Sequence, residues 1–322
     1  MSGIWGSKFQ ISIFGESHGD AVGVTVCGLP PGTEIDTALI KSELLRRAGG
    51  HDEFSTPRIE ADEFSLISGV FNGRASGTPI CCIIPNTNTR SKDYDKTKSL
   101  MRPSHADYTG FIKYDGCNDH RGGGHFSGRI TAGLVVAGAF AKMYLKSRGI
   151  EVDGRITTVG LDDKILAAKA EFDSVGGRVE VVAKGVPPGV GDPFFHSAES
   201  VISQLLFSIP GVKGVEFGSG FTLADMRGSD ANDEFYTENG QILTKTNHSG
   251  GINGGITNGM PIVVGIAFRP TPSIKKEQST VDISTMENVT LSIEGRHDPC
   301  IARRAVVVAE SAVAVALADM ML

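Results

Sequence analysis

The fold of this chain is decided by the stretch ITAGLVVAGAFA, which occupies residues 130–141. Charged side chains are absent from it, and apolar residues lie nearly all round the helix that it predicts, so we expect a helix buried on every side. A second stretch of this kind, AVVVAESAVAV at residues 305–315, contains one charged residue, Glu310. Together they predict one helix from about residue 127 to 148 and another from about 301 to 321.

Shorter runs rich in Val, Ile and Phe predict strands, because Gly or Pro bounds them. These runs cover residues 9–14, 23–27, 64–71, 80–84, 178–183, 214–217 and 261–268. Two more helices are expected at 37–47, capped by Asp36 or Thr37, and at 197–208. The strands come in adjacent, hairpin-like pairs, which favours sheets that sandwich the central helices over alternating βαβ units. We expect an α/β protein in the broad sense, with one domain over residues 1–322.

Composition excludes several classes of protein. The 322 residues are 40% hydrophobic and 21% charged, which is ordinary for a globular chain. With 31 basic and 37 acidic residues the net charge is −6, which argues against general binding to nucleic acid or to an anionic membrane surface. The five cysteines show no C-x-x-C spacing, so neither a disulfide framework nor a metal site is expected. We expect a cytoplasmic protein that does not span a membrane.

Polar residues that can do chemistry collect in glycine-rich, loop-like segments. These segments are GESHG at 15–19, RPSHADY at 102–108, DHRGGGHFSGR at 119–129, NHSGGINGG at 247–255 with RPTPS at 269–273, and GRHDPC at 295–300. Glycine lets the backbone approach a ligand closely, and free N–H groups at a helix start attract phosphate. Most segments pair histidine with Arg or Asp, which points to a pocket for a multiply anionic ligand.

Each segment also has a plainer interpretation. The first could be a hairpin turn, the second a solvated surface loop, the third a flexible entry to the helix and the fourth a glycine-rich hairpin corner. His105 beside a carboxylate could be an acid or base tuned near neutral pH. Asp298 could instead cap the last helix, with Pro299 at its first position.

The whole set of motifs resembles the chorismate synthase family, nearly end to end and in the same order. The matching strings are GESHG at 15–19, GLPPG at 28–32, SGVF at 68–71, RSKDY at 90–94, RPSHADY at 102–108, the glycine-rich entry at 119–129, residues 247–255, RPTPS at 269–273 and GRHDP at 295–299. The resemblance implies a fold of two antiparallel β-sheets enclosing a layer of helices, assembled as a homotetramer.

The implied activity is that of a lyase acting on 5-enolpyruvylshikimate-3-phosphate. Phosphate leaves C3 and a proton leaves C6 in a 1,4-anti elimination that gives chorismate. The family needs reduced FMN although the reaction has no net redox change. An electron-rich flavin can lend charge transiently and assist loss of phosphate.

The resemblance also implies roles for individual residues. His18 matches a histidine that protonates the departing phosphate, and His105 matches one that protonates the reduced flavin. Asp298 matches an aspartate that helps flavin N5 to take the C6 proton. Ser17 and Ser127 match serines that support these groups.

Binding residues carry over in the same way. The implied FMN-binding positions are His125, Phe126, Ser127, Pro210, Gly211, Gly254, Arg269, Pro270, Thr271, Pro272, Ser273 and Arg296. The implied substrate or cofactor arginines are Arg46, Arg47, Arg102 and Arg129.

The chain departs from the family pattern in several places. Ala48 and Glu53 stand where the family has basic residues, and His125 and Phe126 replace the commoner Arg-Ser. Some relatives reduce their own flavin with NADPH. The loss of two basic positions argues against this here, so NADPH is expected at most as an external reductant.

Two alternatives stay open. One is a non-catalytic relative that binds a phosphorylated metabolite or flavin, and the other is a flavin reductase without lyase activity. The joint presence of His18, His105 and Asp298 favours the lyase.

Overall fold

The computed structural model describes residues 3–49, 54, 62–87, 98–293 and 298–322. The helices are α1 Thr37–Arg47, α2 Asp107–Lys113, α3 Thr131–Lys146, α4 Leu161–Ala170, α5 Ala198–Ser208, α6 Gly228–Ala231 and α7 Ala302–Met321. The strands are β1 Ile4–Trp5, β2 Gln10–Gly15, β3 Ala21–Cys27, β4 Ser65–Ser68, β5 Val70–Phe71, β6 Arg74–Ala75, β7 Ile80–Pro85, β8 Glu151–Ile156, β9 Gly177–Lys184, β10 Val212–Phe217, β11 Phe235–Glu238, β12 Gln241–Thr244, β13 Ile252–Asn253, β14 Ile256–Thr257, β15 Ile262–Phe268, β16 Gln278–Asp282 and β17 Glu287–Leu291.

Two antiparallel sheets form the outer layers. The first has five strands in the order β1-β2-β3-β7-β4, and the second has four in the order β10-β15-β9-β8. In the second sheet Val181 of β9 pairs with Val264 of β15. Both side chains are buried. The remaining strands form two-stranded hairpins.

The helices α3 and α7 lie between the sheets. α3 packs on β2 and β3, α7 packs on β8 and β9, and the two helices pack on each other, with α1 and α5 beside them. They approach closely at Gly138, where a Cβ atom would collide with Ser311. This close packing explains why both helices are apolar nearly all round.

The α/β class with sheets sandwiching helices is confirmed, and so are both buried helices. α3 begins at Thr131 rather than near residue 127, because a 3-10 helix, Gly128–Ile130, comes first and the Ser127 side chain caps it. α1 agrees with its prediction, and Asp36 caps it by accepting a hydrogen bond from the Leu39 N–H at 2.9 Å.

The sequence reasoning missed β8, α4 and most of the hairpin strands. The run predicted as one strand at 64–71 forms two, β4 and β5. β8 reads EVDGRI, whose charged residues and glycine hide the strand pattern, since it forms the exposed edge of its sheet. One connected cluster of buried apolar side chains joins both sheets and the central helices. The single domain over 1–322 stays a prediction. Within the described residues, we find no helix long and apolar enough to cross a membrane.

Candidate active site

A cleft of about 890 Å³ opens where α3 and α7 begin. Its walls come from β1, β2, the start of α3, the α5–β10 connection, the segment after β15 and the start of α7. Helix N-termini attract anions, because their first N–H groups lack partners within the helix. Thirteen of the residues singled out in the sequence line this cleft: Arg47, Arg102, His105, His125, Phe126, Ser127, Pro210, Gly211, Arg269, Thr271, Pro272, Ser273 and Asp298.

His105 is held by a carboxylate, as its neighbours in sequence suggest. Its Nδ1 lies 2.7 Å from Oδ1 of Asp107. Arg102 donates to both oxygens of the same carboxylate, from Nε at 2.7 Å and from an Nη at 2.6 Å. Burial opposes ionisation of Asp107, but the hydrogen bonds and charges of Arg102 and His105 outweigh it and hold the pKa of this carboxyl below its usual range.

Three glycines pass between the two predicted catalytic histidines. Gly122, Gly123 and Gly124 all have positive φ. A Cβ atom on Gly122 would collide with the ring of His18, and one on Gly123 would lie 3.3 Å from Nε2 of His105. Only glycine tolerates this combination of backbone angle and close contact.

Ser17 and His18 are buried behind Gly122 and do not line the cleft. Oγ of Ser17 lies 3.2 Å from Nδ1 of His18. The Ser17 N–H donates to the Gly124 carbonyl at 3.2 Å, which ties the strand end to the glycine segment. His125 reaches the same strand, with Nδ1 2.9 Å from the Gly15 carbonyl oxygen.

A buried carboxylate, Asp62, joins two of the predicted arginines. Arg47 donates to its Oδ2 at 2.5 Å and Arg129 donates to its Oδ1. Burial disfavours the ionised carboxyl, but the two guanidinium charges outweigh burial and lower the pKa of Asp62. Arg129 also donates to the Asn86 amide at 3.0 Å, and unlike Arg47 it does not line the cleft.

The Arg46 side chain contacts carboxylates outside the cleft. Its guanidinium donates to Glu43 at 2.9 Å and to both oxygens of Glu310, at 2.7 and 2.5 Å. Lys142 donates to the same two carboxylates. Arg46 therefore belongs to an ionic cluster among α1, α3 and α7 and does not line the cleft. Substrate binding by this residue stays a prediction.

The segment after β15 closes one side of the cleft. Arg269 donates to the Ser104 carbonyl at 2.7 Å, and its main-chain N–H donates to Gly211 at 2.9 Å. Oγ1 of Thr271 is buried, and none of the described residues provides it with a hydrogen-bond partner. A buried hydroxyl without a partner is costly, so this atom is suited to a ligand in the cleft.

Two of the predicted cofactor residues do not line the cleft, and a third lies outside the described residues. Pro270 does not line it. Gly254 lies between β13 and β14, away from it. Arg296 lies outside the described residues, as do Glu53 and residues 90–94. Their roles stay predictions.

Asp298 lines the cleft and accepts a hydrogen bond from Arg304. The alternative in which Asp298 caps the last helix is wrong. α7 begins at Ala302, and its N-cap residue is Ile301, whose side chain makes no capping hydrogen bond. Asp298 lies four residues before the first residue of this helix and pairs with the Arg304 guanidinium.

Sequence reasoning missed Asp62 and Arg304. Asp62 lies in a polar run that contains no recognisable motif. It is also far from Arg129 in sequence, so no local pattern predicts that the two side chains pair. Arg304 is six residues after Asp298, and the run Arg303-Arg304 before an apolar helix was the available hint.

Comparison with known proteins agrees with these observations. A family model described as chorismate synthase matches residues 9–164 and 160–322. This chain belongs to the chorismate synthase family. It is 47% identical to the chorismate synthase of Thermococcus kodakarensis, over 98% of this chain and 97% of that one. It is 44% identical to the chorismate synthase of Methanosarcina mazei, over 99% and 96%.

A solved structure described as the crystal structure of chorismate synthase has the same fold. Its TM-score to this chain is 0.78 at 27% sequence identity, and the match covers 99% of this chain and 93% of that one. The two-sheet arrangement expected from the family resemblance is therefore correct.

Proposed function

We propose that this protein catalyses the 1,4-anti elimination of phosphate from 5-enolpyruvylshikimate-3-phosphate, giving chorismate. The observation that carries the proposal is one cleft in which His105, Asp298 and several arginines meet the N-terminal ends of α3 and α7. An acid, a base and an anion-binding wall are what the elimination of a phosphate requires.

The substrate carries a phosphate and carboxylates, and cationic side chains that can bind such anionic groups line the cleft. Arg47, Arg102, Arg269 and Arg304 line it. Arg47 and Arg102 are fixed by Asp62 and Asp107, so little side-chain freedom is lost when an anion binds. We assign Arg47 and Arg102, together with the helix N-termini, to the binding of the phosphate and carboxylate groups of the substrate.

His18 is the proposed general acid for the departing phosphate. Ser17 contacts its Nδ1, which orients the ring behind Gly122. Asp298 is proposed to assist removal of the C6 proton from its position in the cleft wall. Ser127 caps the 3-10 helix before α3 and holds the adjacent backbone.

The cleft also fits a flavin. Ile11, Ile13, Leu134 and Val308 give it an apolar wall for a flat ring. The partnerless hydroxyl of Thr271 offers a hydrogen bond to a polar edge. Reduced FMN, when bound, supplies the electron density that assists loss of phosphate and the nitrogen that takes the C6 proton.

The residues proposed to hold it are drawn from the segments around Pro210, Gly211 and Arg269 to Ser273, and from His125, Phe126 and Ser127. His105, oriented by Asp107, is proposed to supply a proton to the bound ring. The same proposal includes NADPH as an external reductant, assembly as a homotetramer and a cytoplasmic location.

The test is an anaerobic assay with 5-enolpyruvylshikimate-3-phosphate and chemically reduced FMN, in which phosphate and chorismate are followed together. Equal release of both supports the lyase. Bound FMN with no release of either product contradicts it and favours a non-catalytic relative. NADPH oxidation without phosphate release would indicate a flavin reductase.

The assigned roles are tested in the same assay. His105→Ala and Asp298→Ala should lower turnover strongly while leaving folding intact, because neither side chain belongs to the apolar core. Near-wild-type turnover by either variant would remove that residue from the mechanism.

A further inference from the structure

Arg304 stands in the cleft wall at the start of α7, and none of the roles above explains its position. Its Nε donates to the main-chain carbonyl of Arg47 at 2.9 Å, and one Nη donates to Oδ2 of Asp298. One guanidinium therefore ties two parts of the cleft together.

The attachment at Arg47 is at a point where a helix needs an external partner. Arg47 is the last residue of α1, so its carbonyl belongs to the group that finds no N–H within the helix. Asp298 lies before α7 and is not held by a helix of its own. The planar fork of an arginine can bind both acceptors in fixed directions, which a lysine ammonium cannot do.

The element that carries Arg304 is rigid. α7 is a 20-residue helix packed between the second sheet, α3 and α5, and most of its residues are buried. The packing of α7 therefore fixes the backbone position from which the Arg304 side chain extends. A residue that positions a catalytic group does so more precisely from a packed helix than from a loop.

We propose that Arg304 is a positioning residue for the reaction in this cleft: it holds the Asp298 carboxylate and the end of α1 at a fixed separation. This inference rests on the proposed function. Asp298 is the residue assigned to the C6 proton, and Arg47 is assigned to the anionic substrate. Arg304 therefore couples the proton-accepting end of the cleft to its anion-binding end.

The neighbouring arginine provides a matched control. Arg303 lies in the same helical turn, donates to Asp162 and stacks on the Phe54 ring with its guanidinium carbon 4.7 Å from the ring centre. Its side chain is 28% exposed, against 24% for Arg304. Arg303 does not line the cleft. Loss of either side chain removes a carboxylate contact at the start of α7, but of the two residues only Arg304 lines the cleft.

The experiment compares wild type, Arg304→Met, Arg304→Lys and Arg303→Met with 5-enolpyruvylshikimate-3-phosphate and chemically reduced FMN. Thermal unfolding is recorded for all four. Arg304→Met should lower kcat on the order of 100-fold, the effect of a catalytic group displaced by about 1 Å. Arg304→Lys should recover only part of this loss. Arg303→Met should stay within about threefold of wild type, since Arg303 is not among the residues that line the cleft.

Chemical rescue separates positioning from general support of the fold. Methylguanidinium added to Arg304→Ala should restore kcat by about tenfold or more, because it can occupy the site of the missing fork. The same addition should leave Arg303→Met unchanged. Rescue is the ratio of kcat with methylguanidinium to kcat without it, measured on the same folded preparation. It can therefore be measured even when a variant is partly destabilised.

Three results would overturn the proposal. Arg304→Met with the kcat of Arg303→Met would make the contact an ordinary surface ion pair. Full activity of Arg304→Lys, together with absence of rescue by methylguanidinium, would mean that only the positive charge of Arg304 matters and that its planar geometry does not. If wild type and Arg303→Met both release no phosphate, the proposed function fails, and the inference fails with it.

Discussion

Gly122 and the imidazole of His18 occupy adjoining space, so that any side chain on Gly122 would enter the ring. A Cβ atom there would collide with Cε1 and Nδ1 of His18. The backbone at Gly122 has φ of 62°, which other residues seldom adopt. The glycine segment therefore fixes how His18 stands relative to the cleft.

Gly122→Ala should lower turnover on the order of 100-fold, because it displaces His18 from its position behind the cleft. The matched control is Gly228→Ala, where nothing lies within 4 Å of the added Cβ and φ is not positive. Steady-state kinetics on both variants, with circular dichroism to confirm folding, provide the measurement. Equal turnover of the two would show that His18 can be moved without consequence, which would remove it as the acid.

Asp62→Asn tests whether the buried carboxylate positions Arg47. The asparagine keeps the shape but loses the charge that holds two guanidinium groups. We expect KM for the phosphorylated substrate to rise on the order of tenfold, equal to about 1.4 kcal/mol, because Arg47 loses its fixed direction. A fall in KM would instead mean that Asp62 acts only by offsetting positive charge near the anion.

Thr271→Val tests the fit of the cleft to a flavin. The change replaces the partnerless hydroxyl with a methyl group of similar size. It should leave the free energy of unfolding unchanged or slightly higher, and weaken FMN binding by about 0.5–1.5 kcal/mol, the net value of one hydrogen bond. Fluorescence titration with FMN measures this, with exposed Thr222→Val as control. Unchanged affinity would exclude the Thr271 hydroxyl as a ligand.

Glu310→Gln should destabilise the folded state by about 1.5–3 kcal/mol at pH 7, because a neutral amide replaces a buried carboxylate that accepts charge-assisted hydrogen bonds. Arg46 and Lys142 then keep only Glu43 as a charged partner among the described residues. Glu310 accepts hydrogen bonds from Arg46, Lys142 and the Gly154 N–H. Burial opposes its ionisation, but the bond from Arg46 and the charge of Lys142 outweigh it and lower its pKa. The matched control is Glu63→Gln, an exposed carboxylate 3.6 Å from Lys41, which should change stability by less than about 1 kcal/mol.

The lowered pKa of Glu310 fixes the direction of the pH dependence. Its stabilising contribution is complete above the ordinary glutamate pKa of about 4.3 and is lost as the pH falls through the lower, folded-state value. The difference in unfolding free energy between wild type and Glu310→Gln should therefore be constant near neutrality and shrink below about pH 4. Urea unfolding across this range measures it, and a difference that grew on acidification would contradict the assignment.

The sequence by itself determined the central helices and the arrangement of sheets around them. Apolar character nearly all round the helices over residues 130–141 and 305–315 requires burial on every side, and a layer between two sheets provides it. Local pairs were also predictable. Asp107 lies two residues after His105, and the two side chains do form a hydrogen bond.

The tertiary structure alone decided which arginines face the cleft. Arg46 and Arg47 are neighbours in sequence, yet one belongs to the cluster around Glu310 and the other lines the cleft beside Asp62. Successive residues of a helix point about 100° apart, so the packing of α1 determines which of the two reaches the ligand. The contacts of Asp62 with Arg129 and of Arg304 with the Arg47 carbonyl join residues far apart in the chain. Such contacts form only when both sheets close on the helix layer, because no local pattern encodes the distance between them.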